Sequence, residues 1–157
     1  MIQRIQTVYL LIAEVLTICL FFFTLVTFLS TGNVELLLKI NGIFRDVNGT
    51  LVKDVSTWPL VVLVSITTFI GFIVIFLYRH RLFQIRLCFF NMALNLGVFI
   101  LLIYYIYSVS VVVDVKLGLR IVDIFPIVSI ILYYLAYRAI AKDEAMVIAS
   151  SFRSRKK

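Results

Sequence analysis

The chain has 157 residues, 63% of them apolar and 15% charged, with a formal charge of +7 and a mean hydropathy of +1.11. Soluble domains are about 45–50% apolar and about 25% charged. The composition excludes a soluble globular domain, a disordered chain and a nucleic-acid-binding domain, and it points to the membrane.

A bilayer core about 30 Å thick is crossed by about 20 apolar helical residues. In chain order, four stretches meet that length. The first is Val8 to Leu29, broken only by Glu14. Its apolar run exceeds the roughly 7–15 residues of a signal-peptide core, and bulky Phe21, Phe22, Phe23 and Leu25 stand where a cleavage site needs small residues. The expectation is a retained helix. The segment that follows, 34–53, alternates apolar runs with Asn41-Gly42 and Asn48-Gly49. Asn-Gly between apolar runs signals a tight hairpin turn, because both central residues of a type I′ turn need positive φ. Two such turns predict a three-strand antiparallel meander.

The second span is Trp58 to Leu77, opened by Ser56-Thr57 as a candidate cap and Pro59 in its first turn. The third covers 87–107 and carries Asn91 and Asn95. A β-branched stretch, 109–117, then predicts a further strand that joins the meander in one cap; two unrelated loops are the alternative. The fourth span covers 125–141, with Asp123 and Pro126 at its start and Arg138 near its end. Helical character extends into a tail over 142–157, because no helix breaker intervenes.

Charge sets the orientation. Arg4 precedes the first span, Arg79, Arg81 and Arg86 lie between the second and third, and Arg138, Lys142, Arg153, Arg155, Lys156 and Lys157 follow the fourth. These ten basic residues fall on one side, whereas the two other loops carry equal numbers of basic and acidic groups. Lys and Arg concentrate in cytoplasmic segments, so both termini are predicted to be cytoplasmic. The basic balance reads as topology and contact with lipid headgroups, and no nucleic-acid partner is expected. The fold class is therefore an all-α membrane domain over 1–157. Four transmembrane helices run up-down-up-down, with a small extracytoplasmic antiparallel β cap.

Ionisable residues within a span are costly and mark functional positions. Glu14 is the single acid inside one. Asn91 and Asn95 share a helix face at i, i+4, and Gln84 and Cys88 extend that face. All lie in the predicted cytoplasmic half, where Arg138 or Arg86 can supply donors to a carboxylate. The prediction is an intramembrane polar cluster of Glu14, Asn91, Asn95, Arg138 and Arg86. It reads either as glue between helices or as a site where Glu14 exchanges a proton or binds a cation. The glutamate in the first of four short helices is shared with small multidrug transporters, but the long outer segment is not.

Enzymatic chemistry finds little support. His80 is the single histidine and the six Gly are scattered, so neither a metal cluster, a triad nor a phosphate loop assembles. No metal and no cofactor are expected. Cys19 and Cys88 differ in depth and are not expected to pair. Tyr104, Tyr105 and Tyr107, and likewise Tyr133, Tyr134 and Tyr137, read as interfacial belts.

Three motifs carry a resemblance. They are the opening Met1-Ile2-Gln3-Arg4-Ile5-Gln6, the link Arg81 to Asn91 with Gln84-Ile85-Arg86-Leu87-Cys88, and Arg138-Ala139-Ile140 with Lys142-Asp143-Glu144. Over the whole chain the protein resembles a bacterial family of small four-helix inner-membrane proteins classed as a domain of unknown function. The resemblance implies an intact bacterial membrane protein with no assigned activity. The expected role is non-enzymatic, an accessory or structural subunit of a larger inner-membrane complex, partnered by lipids and by other membrane subunits or further copies of itself. The alternative is a small proton-coupled transporter using Glu14.

Overall fold

The computed structural model describes residues 2–30, 35–47, 50–77, 81–112 and 115–154. Four helices, α1 (Ile2–Phe22), α2 (Trp58–Phe76), α3 (Arg81–Val112) and α4 (Phe125–Ser154), alternate with β1 (Val26–Ser30), β2 (Glu35–Lys39), β3 (Gly42–Val47), β4 (Thr50–Val55) and β5 (Val115–Leu119). The helices form a four-sided bundle in which α1 and α3 each pack against both α2 and α4. Trp58–Phe76, Arg81–Val111 and Ile121–Val147 are long and apolar enough to cross a membrane. α1 contributes a shorter apolar stretch, Gln6–Phe22, within its 21 residues.

The five strands make one antiparallel sheet in the order β4-β3-β2-β1-β5. Side chains alternate across a strand, and the alternation here is clean. Val26 and Phe28 on β1, Leu36 and Leu38 on β2, then Ile40 and Ile43 are buried. The register sets Val26 opposite Leu38, Phe28 opposite Leu36, and Leu38 opposite Ile43, so the buried residues fall on one face. That face packs against Leu20, Leu60, Val64, Leu102 and Val109 at one end of the bundle. Thr57 couples the two layers: its Oγ1 donates to the Ile40 carbonyl at 2.6 Å, just before α2 begins. The predicted capping side chain is thus spent on the sheet, and no side-chain cap closes α2.

Two predicted boundaries are corrected. The first span does not reach Leu29: the helix ends at Phe22, and Val26–Ser30 is an interior strand. An interior strand with a buried face reads as a continuous apolar run, which periodicity cannot separate from a helix. The predicted strand over 109–117 begins too early, because Val109–Val112 belongs to α3 and β5 starts at Val115. Buried Val109 earns its place by packing under the sheet while still helical. The cap accordingly has five strands rather than four. The Asn48-Gly49 turn lies outside the described residues, as do Val34 and His80. Between β3 and β4 the register shifts at Ile43/Phe44, so that Asp54 is the extra residue. Its carboxylate pairs with Arg45 Nη2 at 2.7 Å.

Candidate functional site

The bundle is apolar outside and carries a layer of polar groups inside. Val8, Leu11, Ile12 and Val15 on α1, Phe69 and Phe72 on α2, Phe89, Leu96 and Ile100 on α3, and Ile131 on α4 are exposed. Meanwhile Glu14, Thr17, Thr67, Asn91, Asn95, Ser129 and Tyr133 are each 2% exposed or less. A soluble bundle shows the reverse arrangement.

These buried polar groups form a layer. One apolar cluster joins Leu20, Leu60, Val64, Val98 and Leu102 to the sheet. A second joins Leu10, Ala13, Val74, Cys88, Ala136 and Ile140 at the far end. Along each helix the polar or small residues fall between the two: Glu14 and Thr17 on α1, Thr67 and Gly71 on α2, Asn91 and Asn95 on α3, Ser129 on α4. Each pair stands three or four residues apart, so its members share one helix face. The same ordering shows that successive helices run antiparallel.

Glu14 sits at the centre of the layer. The Tyr133 hydroxyl donates to its Oε2 at 3.0 Å. Gly71 leaves the room for the carboxylate: a Cβ built there would overlap Oε2 and lie 2.7 Å from both the carboxyl carbon and the Tyr133 oxygen. Asn91 lies beside the Tyr133 hydroxyl. Asn95 Nδ2 donates to the Asn91 carbonyl at 3.0 Å. Ser129 and Thr17 both donate to the Ala13 carbonyl, at 3.3 and 3.0 Å, one of them across from α4. Among the described residues, Glu14 Oε1, Asn91 Oδ1 and Nδ2, and Asn95 Oδ1 are buried with no partner.

The predicted cluster is thus partly assembled. Glu14, Asn91 and Asn95 are brought into one layer, with Gln84 and Cys88 buried further along the same α3 face. Arg86 and Arg138 are exposed and form no ion pair with Glu14. Each stands five residues from a layer residue (Asn91 and Tyr133), which turns it well away from that face at 3.6 residues per turn. Tyr133 is a correction as well. It is 1% exposed and holds Glu14, whereas its neighbour Tyr134 is 49% exposed as an interfacial residue would be. Gly71, Thr17 and Thr67 were legible only as members of polar or small pairs at one-turn spacing within their spans, and Ser129 only as a lone polar residue in the first turns of α4.

At the end away from the sheet, Gln6 Nε2 donates to Asp143 Oδ2 at 2.7 Å, tying α1 to α4. Gln84 Nε2 donates to the Val74 carbonyl at 3.1 Å, tying α3 to the end of α2. Of the basic residues, Arg81 is half-buried at the start of α3. Arg79, Arg155, Lys156 and Lys157, and the side chains of Arg4 and Arg153, lie outside the described residues. Both cysteines are free, Cys88 buried and Cys19 half-buried.

Fold and layer together define a class: a four-helix bundle with an apolar exterior, a polar centre and a sheet over one end. The family model described as "Domain of unknown function (DUF4293)" matches residues 2–151, and the chain belongs to that family. No curated protein matches it.

Proposed function

We propose that the chain is a non-enzymatic integral protein of a bacterial inner membrane, an accessory or structural subunit of a larger membrane assembly. All four helices span, up-down-up-down, with both termini cytoplasmic and the sheet outside. The ten basic residues in the segments before the first span, between the second and third, and after the fourth support this orientation. Lipid acyl chains cover the apolar exterior, and headgroups meet the basic end.

The observation that carries the subunit reading is the open edge of the sheet. β4 is an edge strand, and its Leu51, Val52 and Val55 are about half exposed. Beside it a groove of about 420 Å³ is lined by Ile43, Val55, Tyr104 and Tyr105 among others. An unpaired strand edge with exposed apolar side chains is a template for another chain, and interfaces favour Tyr in such settings. Gentle detergent extraction followed by mass spectrometry should recover a stoichiometric membrane partner, and Val52→Lys on β4 should release it. Recovery of the wild type only as a monomer or homo-oligomer overturns the reading. A periplasm-dependent reporter fused after Lys157 should be inactive; activity there reverses the orientation.

Buried Glu14 with a free oxygen favours a second reading, proton-coupled transport through this residue. Glu14→Gln keeps the shape and removes the charge. In proteoliposomes a transporter should lose coupled flux with this variant while remaining folded. Flux equal to wild type excludes Glu14 as the coupling group.

A further inference from the structure

The polar layer holds three buried acceptor oxygens with no hydrogen-bond partner among the described residues: Glu14 Oε1, Asn91 Oδ1 and Asn95 Oδ1. Their residues are 2%, 0% and 0% exposed. The orientation of the Asn95 amide is fixed, since its nitrogen is engaged by the Asn91 carbonyl, so its oxygen is the free end. Glu14 Oε2 is likewise held by Tyr133, which leaves Oε1 as the uncommitted atom. In its ionised form, a carboxylate between apolar layers calls for a compensating charge. Both arginines of the cytoplasmic half that could have provided it, Arg86 and Arg138, are exposed.

We propose that this layer is a binding site for one monovalent alkali cation. Glu14 Oε1 supplies the counter-charge, and Asn91 Oδ1 and Asn95 Oδ1 supply neutral oxygens. Hard cations take oxygen ligands of this kind. A single carboxylate balances a single charge, whereas a divalent ion would leave a net positive charge in the apolar core. Gly71 is part of the design: with no Cβ, it lets the carboxylate lie against α2. Tyr133 positions the carboxylate through its other oxygen. The site stands apart from both functional readings, because a resident cation can lock the helices together or be carried.

The test uses the purified full-length chain in detergent. Its thermal midpoint is measured in lithium, sodium, potassium and choline chlorides at equal ionic strength, alongside equilibrium binding of radioactive sodium. One alkali cation should raise the midpoint saturably, by about 3–6 °C at ten times its Kd, and bind at about one per chain. Choline should do neither. Glu14→Gln should abolish the response, and Asn95→Ala should weaken binding by about tenfold or more. Identical midpoints in all four salts, the behaviour of a layer filled with water alone, overturn the proposal. So does a wild-type response in Glu14→Gln, which places the cation elsewhere. Should Glu14→Gln fail to fold, Asn95→Ala decides: undiminished affinity overturns the site.

Discussion

Gly71→Ala should destabilise the protein, by about 1–3 kcal/mol, the usual cost of overpacking a tight interior. The sign is the informative part. In an ordinary helix interior Ala is favoured over Gly by about 1 kcal/mol. At Gly71 the added methyl enters the volume of the Glu14 carboxylate and crowds the Tyr133 hydroxyl. The neighbours that must give way are a buried carboxylate and its donor, and moving them breaks the hydrogen bond between α1 and α4. Gly97 provides the control. A Cβ there meets only Leu63 Cδ2, at 3.4 Å, so Gly97→Ala should be neutral or stabilising by up to about 1 kcal/mol. Unfolding of the two variants in detergent, followed by the fluorescence of Trp58 or by far-ultraviolet circular dichroism, checks this. Equal effects at the two glycines would show that Gly71 is not the cradle of Glu14.

Tyr133→Phe should cost about 1–3 kcal/mol, the penalty for leaving a buried acceptor without its donor. Ring packing among Cys88, Ala136 and Ile140 is kept in this variant, so the loss reports the hydroxyl. The cost should depend on the partner. In a Glu14→Leu background no carboxylate remains, and adding Tyr133→Phe should be close to neutral, because removing both partners removes the unmet demand. The difference between the two backgrounds is the coupling energy of the pair. A cost that is the same in both would mean that the tyrosine hydroxyl serves some other group.

Much of the fold was legible because helices long and apolar enough to cross a membrane follow simple rules. A chain that must satisfy its backbone inside hydrocarbon forms helices about 20 residues long, and apolar run length located α2, α3 and α4 well. Asn41-Gly42 marked the β2–β3 hairpin to within one residue: the two loop residues are Ile40 and Asn41, and Gly42 is already paired opposite Lys39 in β3. Failures came where run length was the sole signal. Phe23 to Leu29 continues the apolar run of α1, yet the chain turns there and β1 enters the sheet. Val109 to Val112 has the composition of a strand, yet α3 carries it under the cap as helix.

The site divides in the same way. Glu14, Asn91 and Asn95 stood out because polar groups inside a span are rare and costly, and the i, i+4 spacing put the two amides on one face. The predicted arginine partners failed because depth along a helix says nothing of azimuth. Arg86 and Arg138 lie on exposed faces. Tyr133 was hidden among three nearby tyrosines, and nothing local distinguishes the one whose hydroxyl points inward.

The sequence by itself determined that the exterior is apolar, where the helices lie, and that Glu14 is confined among them. Those properties follow from composition, run length and spacing, which are local. Only the tertiary structure decided which groups surround that acid. Gly71 from α2 and Tyr133 from α4 converge on Glu14, and Asn91 from α3 lies beside the Tyr133 hydroxyl, through helix rotation and close packing. Rotation is set by how four helices and the covering sheet bury their faces together, a property of the whole chain that no single segment encodes.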